Sequence, residues 1–441
     1  MRIALPLMAA YLAEMAMFIT TKMVVGKLGY HELATVGIAG NLSFEVQVIL
    51  MGILSIVGVI CAQAEGSGRK SDAGVAVQQG MLLSIWLGVP ATWMVWNMDV
   101  VLEWTGQDPK VVELSGPYLH WLSGFVLPVL WFSVLRNFVA ALSKPTVVMV
   151  ITLVAVGLNY ALTWVLVYGA WGFPRMELAG AGLATTIVTW LMFLSLLWYV
   201  YRTQSLRGYG VFSGRWQLNP AVTREILLLG LPVGALVFLE AGMFTAASIL
   251  SGVISAETLA AYEIVLSWIG VSFMVALGVA EAGMIRVAHG AGGNQARDAR
   301  QAGILAMVIG LLIVGCLVLV PLGLRDRFVS IFISQSDPGF DVVADMASGF
   351  FLIAVLFQVF DGLQCIAART LRGLKDSVVP MWIAGFSYWI LGIGGGAWLA
   401  FHLDMDGEGL WWGMVLGLAT AGILLSWRFH RLSNQLIRIA A

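Results

Sequence analysis

Apolar residues in this chain come in blocks of about 20 rather than in alternation with polar ones, and short polar segments separate the blocks. A block of that length crosses ~30 Å of hydrocarbon as an α-helix, whereas a membrane β-strand alternates over ~10 residues. The pattern predicts twelve helices, over residues 4–25, 38–62, 78–98, 115–141, 146–168, 178–201, 227–252, 262–286, 301–322, 344–371, 378–400 and 409–428. The longest polar segment follows the sixth block. It carries Arg202, Arg207, Arg215 and Arg224, with the turn formers Gly208, Gly210, Gly214 and Pro220. It divides the chain into an N-lobe (1–201), a linker (202–224) and a C-lobe (225–441).

The two halves share a pattern. The stretch ALPLMAAYLAEMAMF from Ala4 overlays GLPVGALVFLEAGMF from Gly230 without a gap, at an offset of 240 − 14 = 226 residues. Pro6 then meets Pro232, Glu14 meets Glu240, and Phe18 meets Phe244. The loops from Ala64 and from Ala288 are both small-residue turns that lead into a polar helix start. Six helices separate the copies. That even number inserts both halves in one orientation, with the symmetry axis along the membrane normal and room for a substrate between the lobes. The expected fold is therefore all-α: twelve transmembrane helices in two pseudo-symmetric six-helix lobes around a central cavity.

Composition sharpens the class. The chain is 60% hydrophobic and 11% charged, with mean hydropathy +0.89, against ~45–50% and ~25% in soluble domains. A formal net charge of −1 supplies no basic face for nucleic acid. Lys and Arg cluster after even-numbered helices and acids after odd ones, which predicts that both termini are cytoplasmic. Examples are Arg69 and Lys70 after the second, and Asp404, Asp406 and Glu408 after the eleventh. Arg325 and Arg327 run against this trend and are offset by Asp326, Asp337 and Asp341. Cys61, Cys316 and Cys365 lie in apolar runs with no zinc or disulfide spacing. No HExxH helix, serine triad or phosphate loop occurs, so neither an enzyme nor an ATP-driven pump is expected.

Ionisable groups inside apolar helices are costly and need a reason. Lys22 and Arg136, near helix ends, are expected to snorkel. Glu281 is expected to pair with Arg286 or cap its loop. Glu45 and Glu263 have no assigned role. Glu240 and Asp361 are the deepest acids, and Phe357, Gln358, Gln364 and Cys365 share a helical face with Asp361. That polar stripe is expected to hold a proton or a cation. The four glycines Gly392 and Gly394–Gly396 suit close helix packing.

The stretches LPVGALVFLE, FQVFDGLQCIAARTLRGLKD, VGLNYALTWVLVYG and RVAHGAGG resemble the multidrug and toxic compound extrusion (MATE) transporters, in particular their NorM-like branch. The resemblance covers nearly the whole chain. It implies an inner-membrane antiporter that exports small cationic amphipathic drugs or dyes in exchange for Na⁺ or H⁺, without a cofactor and as a monomer. It implies that Glu240 and Asp361 bind the coupling cation and that Asn159 faces an N-lobe cavity. Two positions depart from the family. Thr21 stands where an aspartate often occurs, so Glu14 or Glu45 would have to take over any N-lobe proton switch. Phe357 stands where the NorM cation site has a tyrosine, which removes one oxygen and leaves Na⁺ and H⁺ both open. A lipid-linked oligosaccharide flippase of the wider superfamily is the alternative, but it would want a cationic cavity. A non-transporting scaffold would leave two deep carboxylates unexplained.

Overall fold

A computed structural model describes residues 2–213, 216–332 and 340–440. Gly214, Arg215 and Asp337 lie outside the described residues, as do the side chains of Arg325, Asp326 and Arg327. Among the described residues there are twelve helices long and apolar enough to cross a membrane. They are α1 (Ala4–Val25), α2 (Tyr30–Gly66), α3 (Lys70–Trp96), α4 (Pro109–Ala141), α5 (Thr146–Tyr168), α6 (Glu177–Arg202), α7 (Pro220–Ile254), α8 (Ala256–Gly292), α9 (Ala296–Val320), α10 (Phe340–Gly373), α11 (Val378–His402) and α12 (Asp406–Ile439). Several outrun their apolar blocks because amphipathic turns continue them beyond the apolar stretch. At 1.5 Å per residue, the 35 residues of α7 are longer than hydrocarbon requires. Side chains such as Trp86, Trp93, Leu153, Val154, Trp198, Leu312 and Leu319 are exposed on the outer faces. Exposed apolar surface of this extent suits lipid rather than water.

By compactness the chain divides into unit 1 (Met1–Gly234) and unit 2 (Ala235–Ala441), with the division inside α7, two residues past Pro232. In unit 1, α1 packs along α5, and α4 packs with α3 and α6. The stretch after α6 is held against unit 1 rather than hanging free. Gln78 Nε2 donates to the Val211 carbonyl at 2.9 Å, and Gln79 Nε2 donates to the Gln217 carbonyl at 2.9 Å. Buried Tyr209 donates its hydroxyl to Glu65 at 2.6 Å. In unit 2, α10 is the central helix, with α8, α9 and α12 packed around it.

The internal repeat reaches the backbone hydrogen bonds. At the end of α2, the Arg69 amide bonds the Ala64 carbonyl at 2.9 Å and the Ser67 amide bonds the Gln63 carbonyl at 3.0 Å. At the end of α8, Gln295 bonds Gly290 at 2.8 Å and Gly293 bonds His289 at 3.0 Å. Each residue of the second set stands 226 positions after its counterpart. Both turns pass through the left-handed region, at Gly68 (φ +72) and Asn294 (φ +55), the two residue types that tolerate it most readily. The turns are equivalent caps that satisfy the last helical carbonyls.

Helix α11 departs from regular geometry. Residues Phe386–Gly394 form a π-helical segment, a wider turn that redirects side chains and recurs at functional positions. Of the glycines Gly392 and Gly394–Gly396, Gly392 and Gly396 pack closely: Gly413 of α12 lies so near both that a methyl group there would have no room, whereas Gly395 faces open space.

Candidate functional site

Unit 2 gathers polar groups in its interior. Asp361, Gln364 and Tyr388 are 3%, 1% and 0% exposed, and Glu240 is half-buried beside them. Gln364 Nε2 donates to Glu240 Oε1 at 2.8 Å and to Asp361 Oδ1 at 3.3 Å. Its Oε1 accepts from the Tyr388 hydroxyl at 2.7 Å. The neighbours dictate the amide's orientation. Ionised carboxylates only accept, so the NH₂ group faces them and the carbonyl is left for the phenol. One neutral side chain thus ties two acids from two helices together.

Helix α11 holds both acid-bearing helices with consecutive residues. Tyr388 reaches Gln364 on α10, and Trp389 Nε1 donates to the Leu239 carbonyl on α7 at 3.2 Å. Both residues belong to the π-helical segment. Phe357 lies on the α10 face of Asp361, fully buried, with its ring 5.4 Å from that of Trp411 and 6.0 Å from that of Phe244. This side of the site is aromatic. Gln358 turns back to its own helix, donating to the Ala354 carbonyl at 3.3 Å, so it does not join the Gln364 network. Tyr388 was not singled out from sequence. The signal available was a single phenol among the aliphatic and tryptophan residues of the eleventh block.

Two expectations are corrected here. Glu281 does not pair with Arg286; its carboxylate lies 3.7 Å from Arg369 Nε of α10, with both side chains largely buried. Arg369 sits two turns past Asp361 on the same stripe, which brings it to α8, whereas Arg286 is exposed. Arg369 also donates to Cys365 Sγ at 3.0 Å. Nor does Arg136 snorkel. It is 5% exposed and donates through Nη1 to Glu14 at 2.8 Å, with its guanidinium 5.1 Å from the Tyr11 ring centre. The carboxylate offered by α1 outweighs an escape to the interface.

That ion pair borders a cavity of about 120 Å³ in unit 1, which Thr21 and Asn159 also line. Asn159 Nδ2 donates to Thr21 Oγ1 at 2.9 Å, and Thr21 donates to the Met17 carbonyl at 3.0 Å. Asn159 Oδ1 is buried without a hydrogen-bond partner among the described residues. Phe18, Phe44, Tyr118, Phe132, Met17 and Met51 supply much of the wall. Glu45 is absent from this lining, although Phe44 and Gln47 on the same helix belong to it. Glu263 is exposed and accepts from Ser248 at 2.8 Å. Glu14, Thr21 and Asn159 are therefore gathered in unit 1, and Glu240, Asp361, Gln364 and Phe357 in unit 2.

Comparison with known proteins follows the same division. The MatE family profile matches residues 6–165 and 232–398, so that both matches begin on the paired prolines Pro6 and Pro232. A "Probable multidrug resistance protein NorM" from Mesorhizobium japonicum is 36% identical over 433 residues, covering 97% of this chain and 92% of its own length. The "Multidrug resistance protein NorM" of Burkholderia vietnamiensis is 32% identical over 437 residues, covering 99% and 94%. Among solved structures, the eukaryotic MATE transporter AtDTX14 superposes with a TM-score of 0.87 at 22% identity, covering 100% of this chain and 98% of that one. An outward-facing multidrug resistance MATE transporter of the MOP superfamily superposes at 0.89 and 18% identity, covering 99% and 95%. At these identities the superpositions carry the fold alone.

Proposed function

The chain belongs to the MatE family, and we propose that it is a secondary active multidrug efflux antiporter that exports cationic amphipathic compounds in exchange for Na⁺ or H⁺. The names of its relatives support efflux of drugs. The observation that carries the coupling is the Gln364 bridge between Glu240 and Asp361. Two carboxylates placed on one amide inside a membrane span are costly to ionise together, and a proton or a cation offsets that cost. The bridging amide keeps them close without neutralising them.

In this mechanism the coupling ion and the cargo are linked through conformation. Ion entry at Glu240 and Asp361 favours one access state and its release the other, by as much as the ion's affinity differs between the two. The cargo leaves when the ion takes the site. The walls of the unit 1 cavity suit an amphipathic cation, because aromatic faces attract positive charge and methionines adapt to varied shapes. We place the protein in the inner (plasma) membrane as a monomer; the distribution of Lys and Arg supports cytoplasmic termini.

A flippase for lipid-linked oligosaccharides would carry pyrophosphate. The paired acids of unit 2 would repel it, so cationic cargo is the better fit. The test is transport by the purified protein in proteoliposomes under an imposed Na⁺ or H⁺ gradient. Accumulation of an ethidium-like cation driven by at least one gradient is expected. No uptake under either gradient would overturn the antiporter.

A further inference from the structure

The equivalent turns at Gly68 and Asn294 set α3 and α9 in the same register, yet their first turns are covered differently. In unit 1 the chain after α6 folds back over α3. Gly74 carries no side chain where the Tyr209 carbonyl descends. Gln78 and Gln79 hydrogen-bond the backbone of the same segment. In unit 2 the residues in register with Ser71, Gly74, Gln78 and Gln79 are Arg297, Arg300, Ile304 and Leu305. The last turns of α12 lie beside them, through Asn434, Ile437 and Arg438. A groove of about 520 Å³ is left open between the start of α9 and the end of α12.

The groove is basic. Arg297 and Arg300 line it from α9 and Arg438 from α12, with Gln301 and Asn434 as further polar groups and no carboxylate among the described lining residues. None of the three arginines forms an ion pair among the described residues; Arg300 Nη2 lies 3.5 Å from His430 Nδ1. From Gln301 a single stripe of α9 continues through Leu305, Val308 and Leu312, at helical spacing. These three are 58%, 48% and 65% exposed. Helix α9 begins at Ala296 and its apolar block at residue 301, which puts the arginines just ahead of the hydrocarbon-length stretch, at the level of the headgroups.

We propose that this groove binds the phosphate headgroup of an anionic membrane phospholipid, with the acyl chains laid along Leu305, Val308 and Leu312. Guanidinium groups match phosphate oxygens in pairs and suit this position better than point charges. A basic pocket between helices at the membrane surface has the chemistry of a lipid headgroup site. The site is independent of the ion site, since it shares no residue with the Gln364 network. In unit 1 the folded-back segment occupies the corresponding surface, so one such site per chain is expected.

The experiment is native mass spectrometry of the full chain in detergent, titrated with phosphatidylglycerol, phosphatidylcholine or inorganic phosphate. Phosphatidylglycerol should be retained in preference to phosphatidylcholine. Arg297→Gln, Arg300→Gln and Arg438→Gln together should weaken it on the order of 100-fold, and each alone by about fivefold. The control variant Lys144→Gln should match the wild type. The single variants Arg297→Gln and Arg438→Gln change exposed side chains, so they carry the test if the triple variant does not fold. Equal retention of the two lipids, or unchanged retention in the variants, would overturn the proposal. So would inorganic phosphate binding as tightly as the lipid, which would make this a site for free anions.

Discussion

Arg136 of α4, buried, and Glu14 of α1, half-buried, form an ion pair at 2.8 Å on the border of the unit 1 cavity. Removing one partner of such a pair strands the other charge and costs roughly 3–5 kcal/mol, whereas replacing both leaves no orphan. Glu14→Gln, which strands the buried guanidinium, should therefore lower the thermal midpoint in detergent more than the Glu14→Gln/Arg136→Met double variant does. If the single changes simply add in a double-mutant cycle, the two residues are not coupled.

Glu240→Gln and Asp361→Asn preserve shape and hydrogen bonding but remove one charge each. Both variants should reach the membrane in wild-type amounts and lose efflux of a cationic dye. Wild-type dye efflux by both would rule out the carboxylate pair as the ion site.

Tyr388 holds the carbonyl of Gln364 and so acts as a positioning residue for the two acids. Tyr388→Phe deletes one buried hydrogen bond, worth about 1 kcal/mol. The apparent affinity for the coupling ion should fall about fivefold, with dye affinity unchanged. A matching loss in both affinities would point to general loosening of unit 2 instead.

Tyr209 lies outside the membrane spans, and burial, with the Glu65 carboxylate beside it, pushes its phenol above the ordinary range. The folded state therefore keeps a proton that the unfolded chain gives up at about pH 10. The corresponding stability is complete below that pH and is lost as pH rises further towards the folded-state value. Thermal midpoints measured from pH 8 to pH 11 should fall more steeply at the alkaline end for the wild type than for Tyr209→Phe. Parallel curves would show that Tyr209 does not contribute to the alkaline loss.

Twelve helices and the duplicated half were legible because lipid imposes a coarse rule: a span must be apolar for its whole length. The match of Glu14 with Glu240 was legible for the same reason, since a carboxylate stands out in such a run. Contacts between helices left no comparable mark. Gln364 and Asp361 are neighbours on α10, and their shared face follows from helical spacing. The reach of Gln364 to Glu240, and of Tyr388 to Gln364, joins residues 124 and 24 positions apart.

Arg136 shows the limit most clearly. From the sequence it is a cation near a helix end, and an isolated cation there turns towards water. Only packing of α1 against its neighbours supplies Glu14 and makes the buried orientation cheaper. Glu281 repeats the lesson, because its partner is chosen by which face of α10 meets α8. The sequence alone determined the solvent, the number of spans, the internal repeat and the acids placed at membrane depth, all of which follow from local transfer energies. The tertiary structure decided which acids share an amide, which cation is buried and which helix end is left uncovered. Those outcomes depend on side chains from different helices competing for the same partners.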